Sequence, residues 1–328
     1  MIAFVLKRLV SLVLTMLVVS FLVFMTFEFS PGDVARGALG QFATKLQLEK
    51  YREQHGLDRP FLERYASWLG VYPNHKGDVS GILQGNLGYS NLWKTDVSTF
   101  IWDRIKTTGI LTLIAFGIIA PLSVILGVAA GMREGSRLDR TVSVLSTITT
   151  SIPEFAMGAI LLTIFVVWLG LLPGTAPLDV ASTGSPNQWS FAAQLVLPVA
   201  TLTAYYLGYL VRMVRASMVE TMTRPYIRTA VLKGLSFREV VTKHAMRNAL
   251  ITPFTAILLQ LNFLFTGVVV VESVFAMPGF GRMLVDAALY KDVATVEAGS
   301  LFAVFLVVVS QFIGDFTYML LNPRIRFS

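Results

Sequence analysis

The chain has 328 residues, of which 54% are apolar and 14% charged, with a formal net charge of +7 and no cysteine. That composition excludes an ordinary soluble globular chain and a disulfide or thiolate–metal scaffold, and it points to a polytopic membrane protein. The positive excess lies in a few loops beside apolar runs, which assigns it to membrane topology rather than to nucleic acid.

A bilayer core of about 30 Å needs roughly 20 helical residues. Uncharged runs of that order occur at Leu9–Phe27, Thr107–Met132, Phe191–Val211 and Ala249–Val271. A fifth stretch, Thr141–Leu172, is interrupted by Pro153 and Glu154, so a kink or a helix-to-span junction is expected there. The last span runs from about Ala298 to Leu321 with Asp315 inside it. The expected fold is therefore an all-α polytopic membrane protein with six transmembrane helices. Lys7 and Arg8 precede the first run, but 19 uncharged residues exceed a usual signal-peptide core, and the following Ser-Pro-Gly-Asp is a poor cleavage site. The first run reads as a retained anchor.

Lysine and arginine counts orient the spans. With the N-terminus inside, the inner segments hold Lys7 and Arg8, then Arg133, Arg137 and Arg140, then eight cations from Arg212 to Arg247, then Arg324 and Arg326. The short outer loops hold none between Pro173 and Ser190, and only Arg282 and Lys291 after the fifth span. Both termini are expected in the cytoplasm.

The expected organisation is a cytoplasmic end and first span over residues 1–30, then an extracytoplasmic segment over 31–100. A five-helix core over 101–322 carries a cytoplasmic loop at 212–250, and 323–328 form a tail. In the outer segment, Lys45–His55 reads as a polar helix stopped by Gly56. Phe61, Leu62, Tyr65, Trp68 and Leu69 recur on one face of a helix opened by Pro60. That helix is either a lid on the spans or a docking surface for a soluble partner. In span two, Gly127 and Gly131 suit close helix approach, within the chain or at a subunit interface.

Helix, sharp turn and helix are expected in the cytoplasmic loop. Pro225 suits a first helical turn, a short helix runs from about Tyr226 to Lys233, and Gly234 suits the left-handed position that ends it. Ser236 and Glu239 have capping-box spacing and start a second helix, Phe237–Leu250, that enters span five. A basic loop that merely anchors topology fits the same composition. The run T-A-V-L-K-G-L-S-F-R-E-V-V-T-K-H-A-M-R-N-A-L-I-T-P resembles the conserved cytoplasmic (EAA) loop of ABC importer permeases, more narrowly those of the dipeptide/oligopeptide/nickel branch. Val231 and Leu232 stand where that family typically has Arg-Ala.

Further segments resemble the same branch: H-G-L-D-R-P-F-L-E-R-Y-A-S-W-L and G-N-L-G-Y-S before span two, E-x-V-F-x-x-P-G-x-G after span five, and D-F-T-Y-M-L-L-N-P-R-I-R at the end. The interval 70–85 is less typical. The resemblance implies a type I ABC importer permease fold and an ATPase-coupling loop that includes Tyr226, Ile227, Arg228, Thr229, Ala230, Lys233, Gly234, Leu235, Ser236, Glu239, His244, Arg247 and Asn248. Other motif positions are Glu272, Phe275, Pro278, Gly279, Gly281, Asp315, Tyr318, Pro323 and Arg324. By its residues alone, Glu272 at the end of an apolar helix either pairs, faces water or reaches lipid headgroups. Asp315 is a candidate partner for a loop arginine.

No phosphate loop occurs, and no glycine is followed by lysine; no metalloprotease, EF-hand or dinucleotide pattern occurs either. His55, His75 and His244 are far apart, and no nucleophile–base set stands out, so the chain is expected to be non-catalytic. The resemblance implies a homologous second permease subunit, two ABC ATPase subunits that bind ATP and Mg, an extracytoplasmic substrate-binding protein and the lipid bilayer of a prokaryotic cytoplasmic (inner) membrane, with no nucleic acid and no cofactor in this chain. Peptides are the substrate class favoured by family frequency; oligosaccharides, opines and nickel chelates are alternatives, as is a self-sufficient secondary transporter.

Overall fold

A computed structural model describes residues 2–28, 35, 39, 42–174 and 191–321. The helices are α1 (Ile2–Glu28), α2 (Lys45–His55), α3 (Phe61–Leu69), α4 (Val97–Gly131), α5 (Arg137–Ser151), α6 (Glu154–Leu162), α7 (Phe191–Met222) and α8 (Pro225–Leu232). They continue as α9 (Phe237–Glu239), α10 (Met246–Ala249), α11 (Ile251–Val274), α12 (Phe280–Leu289) and α13 (Val293–Leu321). One short antiparallel hairpin precedes α4, with Tyr89 opposite Asp96 and Ser90 opposite Thr95.

Four described helices are long and apolar enough to cross a membrane, and six spans result if each of two bent pairs counts as one. The first pair is α5 with α6 and its π-helical continuation Thr163–Trp168, bent by 102°. Its break falls at Ile152 and Pro153, where the missing amide and the restricted residue before proline end one helix and start the next. The second pair joins the stretch 237–249 to α11 at 55°.

Met1–Lys106 with Gly279–Val309 form one compact unit, and Thr107–Pro278 with Ser310–Ser328 another. In the first, α2 begins at Thr44 with a complete capping box: the Thr44 hydroxyl accepts from the Gln47 amide, and the Gln47 side chain accepts from the Thr44 amide at 2.8 Å. It ends, as expected, at left-handed Gly56, with φ of 63°. Helix α3 lies on α1 through aromatic edges, Tyr65 standing 5.3 Å from Phe21 and Trp68 5.5 Å from Phe24. Tyr65 also shares a 2.7 Å hydroxyl hydrogen bond with Ser20. The packed face is therefore Phe61, Tyr65 and Trp68. Leu62, expected on it, is 66% exposed, because one residue on turns the side chain about 100° away. The segment 70–85 is drawn together by Gln84, whose amide donates to the Gly70 carbonyl and accepts from the Gly81 amide, both at 2.9 Å.

In the second unit the largest core cluster gathers Leu111, Ala115 and Ile119 of α4, Leu202 and Leu210 of α7, and Leu264, Val268 and Val271 of α11. Gly127 and Gly131 of α4 serve packing within the chain: a Cβ on Gly127 would meet Val214 at 2.5 Å, and one on Gly131 would meet Met218 at 2.7 Å. Small residues there let α4 and α7 approach closely.

Candidate functional site: the loop between spans four and five

Helix α8 is the short helix expected between spans four and five. Arg224 is its N-cap with extended backbone, and Pro225 occupies the first turn, where a missing amide costs nothing. Its inward residues are Ile227 and Ala230, 4% and 3% exposed. They pack with Val214 and Met218 of α7, Val128 of α4, and Val240, Val241, Ala245 and Ala249 of the following segment. Ala230 is small enough to bring the helix close to this cluster. The outward residues are Arg228, Thr229, Val231, Leu232 and Lys233, with Leu232 78% exposed. A helix whose apolar positions point both ways has one face held by its own chain and one left open.

Gly234 has φ of 79°, the left-handed region expected of it, and Leu235 returns its amide to the Ala230 carbonyl. Ser236 caps the next helix by accepting from the Glu239 amide at 3.3 Å. The expected capping box is only half formed there. The Glu239 carboxylate instead receives Lys243 at 2.7 Å, an i,i+4 pair that competes for the same oxygens. That hydrogen bond holds the Glu239 carboxyl below the usual glutamate range.

The single stiff helix expected over Phe237–Leu250 is not what forms. After α9 the backbone takes a π-helical turn over Val240–Ala245, returns to α over Met246–Ala249, and breaks at Leu250. The break is braced from the side: Ser217 donates its hydroxyl to the Ala249 carbonyl at 2.6 Å, and Asn248 donates to the Tyr226 hydroxyl at 3.1 Å. Asn248 thus ties the start of α8 to the end of this arm. His244 is half-buried and Arg247 exposed.

An interaction absent from the sequence reading anchors the platform under α8. Arg215 of α7 grips Asp139 of α5 with Nε and Nη2, the second contact at 2.8 Å. Asp139 also accepts from the Gly135 amide at 2.9 Å and is 3% exposed. A span of about 20 residues from Phe191 ends near Val211, which leaves Arg215 and the α5 start beyond the hydrocarbon. The Arg215 guanidinium holds the Asp139 carboxyl at about 2, well below its ordinary value.

Of the other motif positions, Glu272 is completely buried and accepts a hydrogen bond from the Thr108 hydroxyl. A headgroup-reaching Glu272 is therefore overturned, since a carboxylate this deep needs donors inside the fold. Phe275 is 1% exposed, and Pro278 is partly buried beyond it. In the other unit Gly279 and Gly281 are buried at the start of α12, with Gly279 as its N-cap. The side chains of Asp315 and Tyr318, and Pro323 and Arg324 altogether, lie outside the described residues. Among the described residues no cluster of histidine and carboxylates could hold a metal ion.

The chain has the type I ABC importer permease fold, with a basic, half-open helix between spans four and five. A structure of an amino acid ABC transporter superposes with a TM-score of 0.53 at 12% identity, covering 67% of this chain and 94% of that one. Residues 123–327 match the binding-protein-dependent transport system inner membrane component family, and residues 1–112 match its N-terminal companion. The chain belongs to that family. It is 35% identical over 327 residues to a putative peptide transport system permease protein of Brucella abortus, with 100% of each chain covered. It is 34% identical over 334 residues to the glutathione transport system permease protein GsiC of Escherichia coli, again with 100% of each covered.

Proposed function

We propose that this chain is the peptide-conducting permease subunit of an ABC importer and lines half of a pathway opened and closed by separate ATPases. The names of its full-length relatives support peptides as the cargo class. In this reading the chain pairs with a homologous second permease, two ATPases bind ATP and Mg below, and a substrate-binding protein delivers cargo above. Both termini lie in the cytoplasm, and the chain itself catalyses nothing.

The observation that carries the reading is the two-sided helix α8. Ile227 and Ala230 fix it to the bundle, while Arg228, Thr229, Val231, Leu232 and Lys233 remain free to enter a groove on an ATPase. Exposed Val231 and Leu232 would gain roughly 1.5–3 kcal/mol each on full burial there. ATP-driven closure of two ATPases then moves two such helices together and reorients the spans by alternating access. Segment 31–100 is the extracytoplasmic face of the machine in this scheme.

Proteoliposomes carrying the complete importer, with binding protein inside or outside, test it. Uptake of labelled di- and tripeptides that requires ATP and is lost in Leu232→Glu supports the reading. Peptide uptake by this chain with no ATPase present overturns it.

A further inference from the structure

Neither the loop nor the fold as described above gives a role to Glu154. Glu154 opens α6, beside the break at Ile152 and Pro153. Its Oε1 is buried without a hydrogen-bond partner, although the residue as a whole keeps some exposure. An orphaned carboxylate oxygen inside a membrane bundle is costly and marks a functional site unless something else reaches it.

Its surroundings are built to hold that oxygen in place. Gly267 of α11 lacks the side chain that would displace it: a Cβ there would lie 2.8 and 2.9 Å from the two Glu154 oxygens and 2.1 Å from the Tyr206 hydroxyl. Tyr206 of α7 donates its proton to the Phe263 carbonyl of α11 at 3.1 Å, so the nearest phenol is committed elsewhere. Tyr205 stands edge-on to Tyr206 with ring centroids 4.9 Å apart.

The segments packed around it carry no cation among the described residues. The stretches 107–132, 141–211 and 248–278 contain no lysine, arginine or histidine. A carboxylate only accepts hydrogen bonds and its strongest partners are charged donors, so the group that would satisfy it is a compact cationic donor. We propose that Glu154 receives the primary ammonium group of the transported substrate, the free amino terminus of a short peptide. This deepens the peptide reading above and rests on it. A fixed cation from a second subunit would fill the site permanently; the residual exposure of Glu154 at a helix break suits a group that comes and goes.

Equilibrium binding of radiolabelled Ala-Phe to the purified complex of permeases and ATPases, with binding protein left out, tests the site. Wild type is expected to prefer Ala-Phe over N-acetyl-Ala-Phe about tenfold in competition, the value of one charge-assisted hydrogen bond. Glu154→Gln should weaken Ala-Phe binding about tenfold and abolish that preference, in a complex recovered with all its subunits. Glu154→Asp should keep part of the preference. Unchanged binding in Glu154→Gln, or an equal loss for both peptides, overturns the inference; an equal loss with subunits missing assigns Glu154 to a partner-chain cation instead. Wild-type complex that binds no Ala-Phe overturns it too, while ATP-driven peptide uptake in proteoliposomes separately decides the cargo class.

Discussion

Arg215 and Asp139 join the end of α7 to the start of α5 through a two-nitrogen grip, with Asp139 almost wholly buried. The pair fixes the floor on which α8 rests, since the same turns of α7 carry Val214 and Met218 into the cluster that holds Ile227 and Ala230.

Asp139→Ala should therefore lower the stability of the purified chain by about 1–3 kcal/mol. That is less than a fully buried pair would lose, because the Arg215 side chain keeps 26% exposure. The folded carboxyl lies near 2, below its ordinary 3.8, so the pair stabilises at neutral pH and loses its contribution as pH falls from about 4 toward 2. Thermal unfolding in detergent across that window should show the wild type converging on Asp139→Ala. Parallel curves would refute it.

Gly234 isolates backbone strain from crowding, because a Cβ there meets nothing within 4 Å. Gly234→Val should still cost on the order of 1–2 kcal/mol at positive φ, and Gly234→Asn less. In the reconstituted importer ATP-driven uptake should fall in the order Gly, Asn, Val. Normal uptake by the valine variant would refute this account of the turn.

Thr108→Val removes a donor from the buried Glu272 at nearly constant volume. A loss of about 1–3 kcal/mol is expected, read as a fall in melting temperature, whereas Thr108→Ser should retain most of the stability.

Asp292 accepts from the Ser90 hydroxyl, the Asn91 amide at 3.1 Å and the Thr295 hydroxyl at 2.7 Å while 1% exposed. Asp292→Ala should free the hairpin before α4, and hydrogen exchange at the Asn91 amide should speed up with little change in the α4 core. Unchanged exchange at Asn91 would show that the carboxylate does not hold the loop.

What the chain disclosed in advance was what depends on neighbours in sequence. Pro153 stops a helix by its own chemistry, Gly234 and Gly56 end helices by lacking a Cβ, and Pro225 begins one. The capping box of Thr44 and Gln47 obeys the same rule, since its T-x-x-Q spacing is local. Ser236 and Glu239 show the limit of the rule: spacing names a possible pair, but Lys243 outbids the Glu239 backbone contact. Asp139 with Arg215, 76 residues apart, and Thr108 with Glu272, 164 apart, are tertiary matters that no local spacing reports.

The π-helical turn at Val240–Ala245 has a consequence for comparing this chain with others. Hydrogen bonding to the fifth residue accommodates one residue more than an α path of the same rise, so every later side chain is rotated by about 100°. That offset is what presents Asn248 to Tyr226 and the Ala249 carbonyl to Ser217. A relative without the extra residue would need a one-position gap inside this stretch for both faces to coincide. An ungapped alignment would match Asn248 with a residue that points elsewhere.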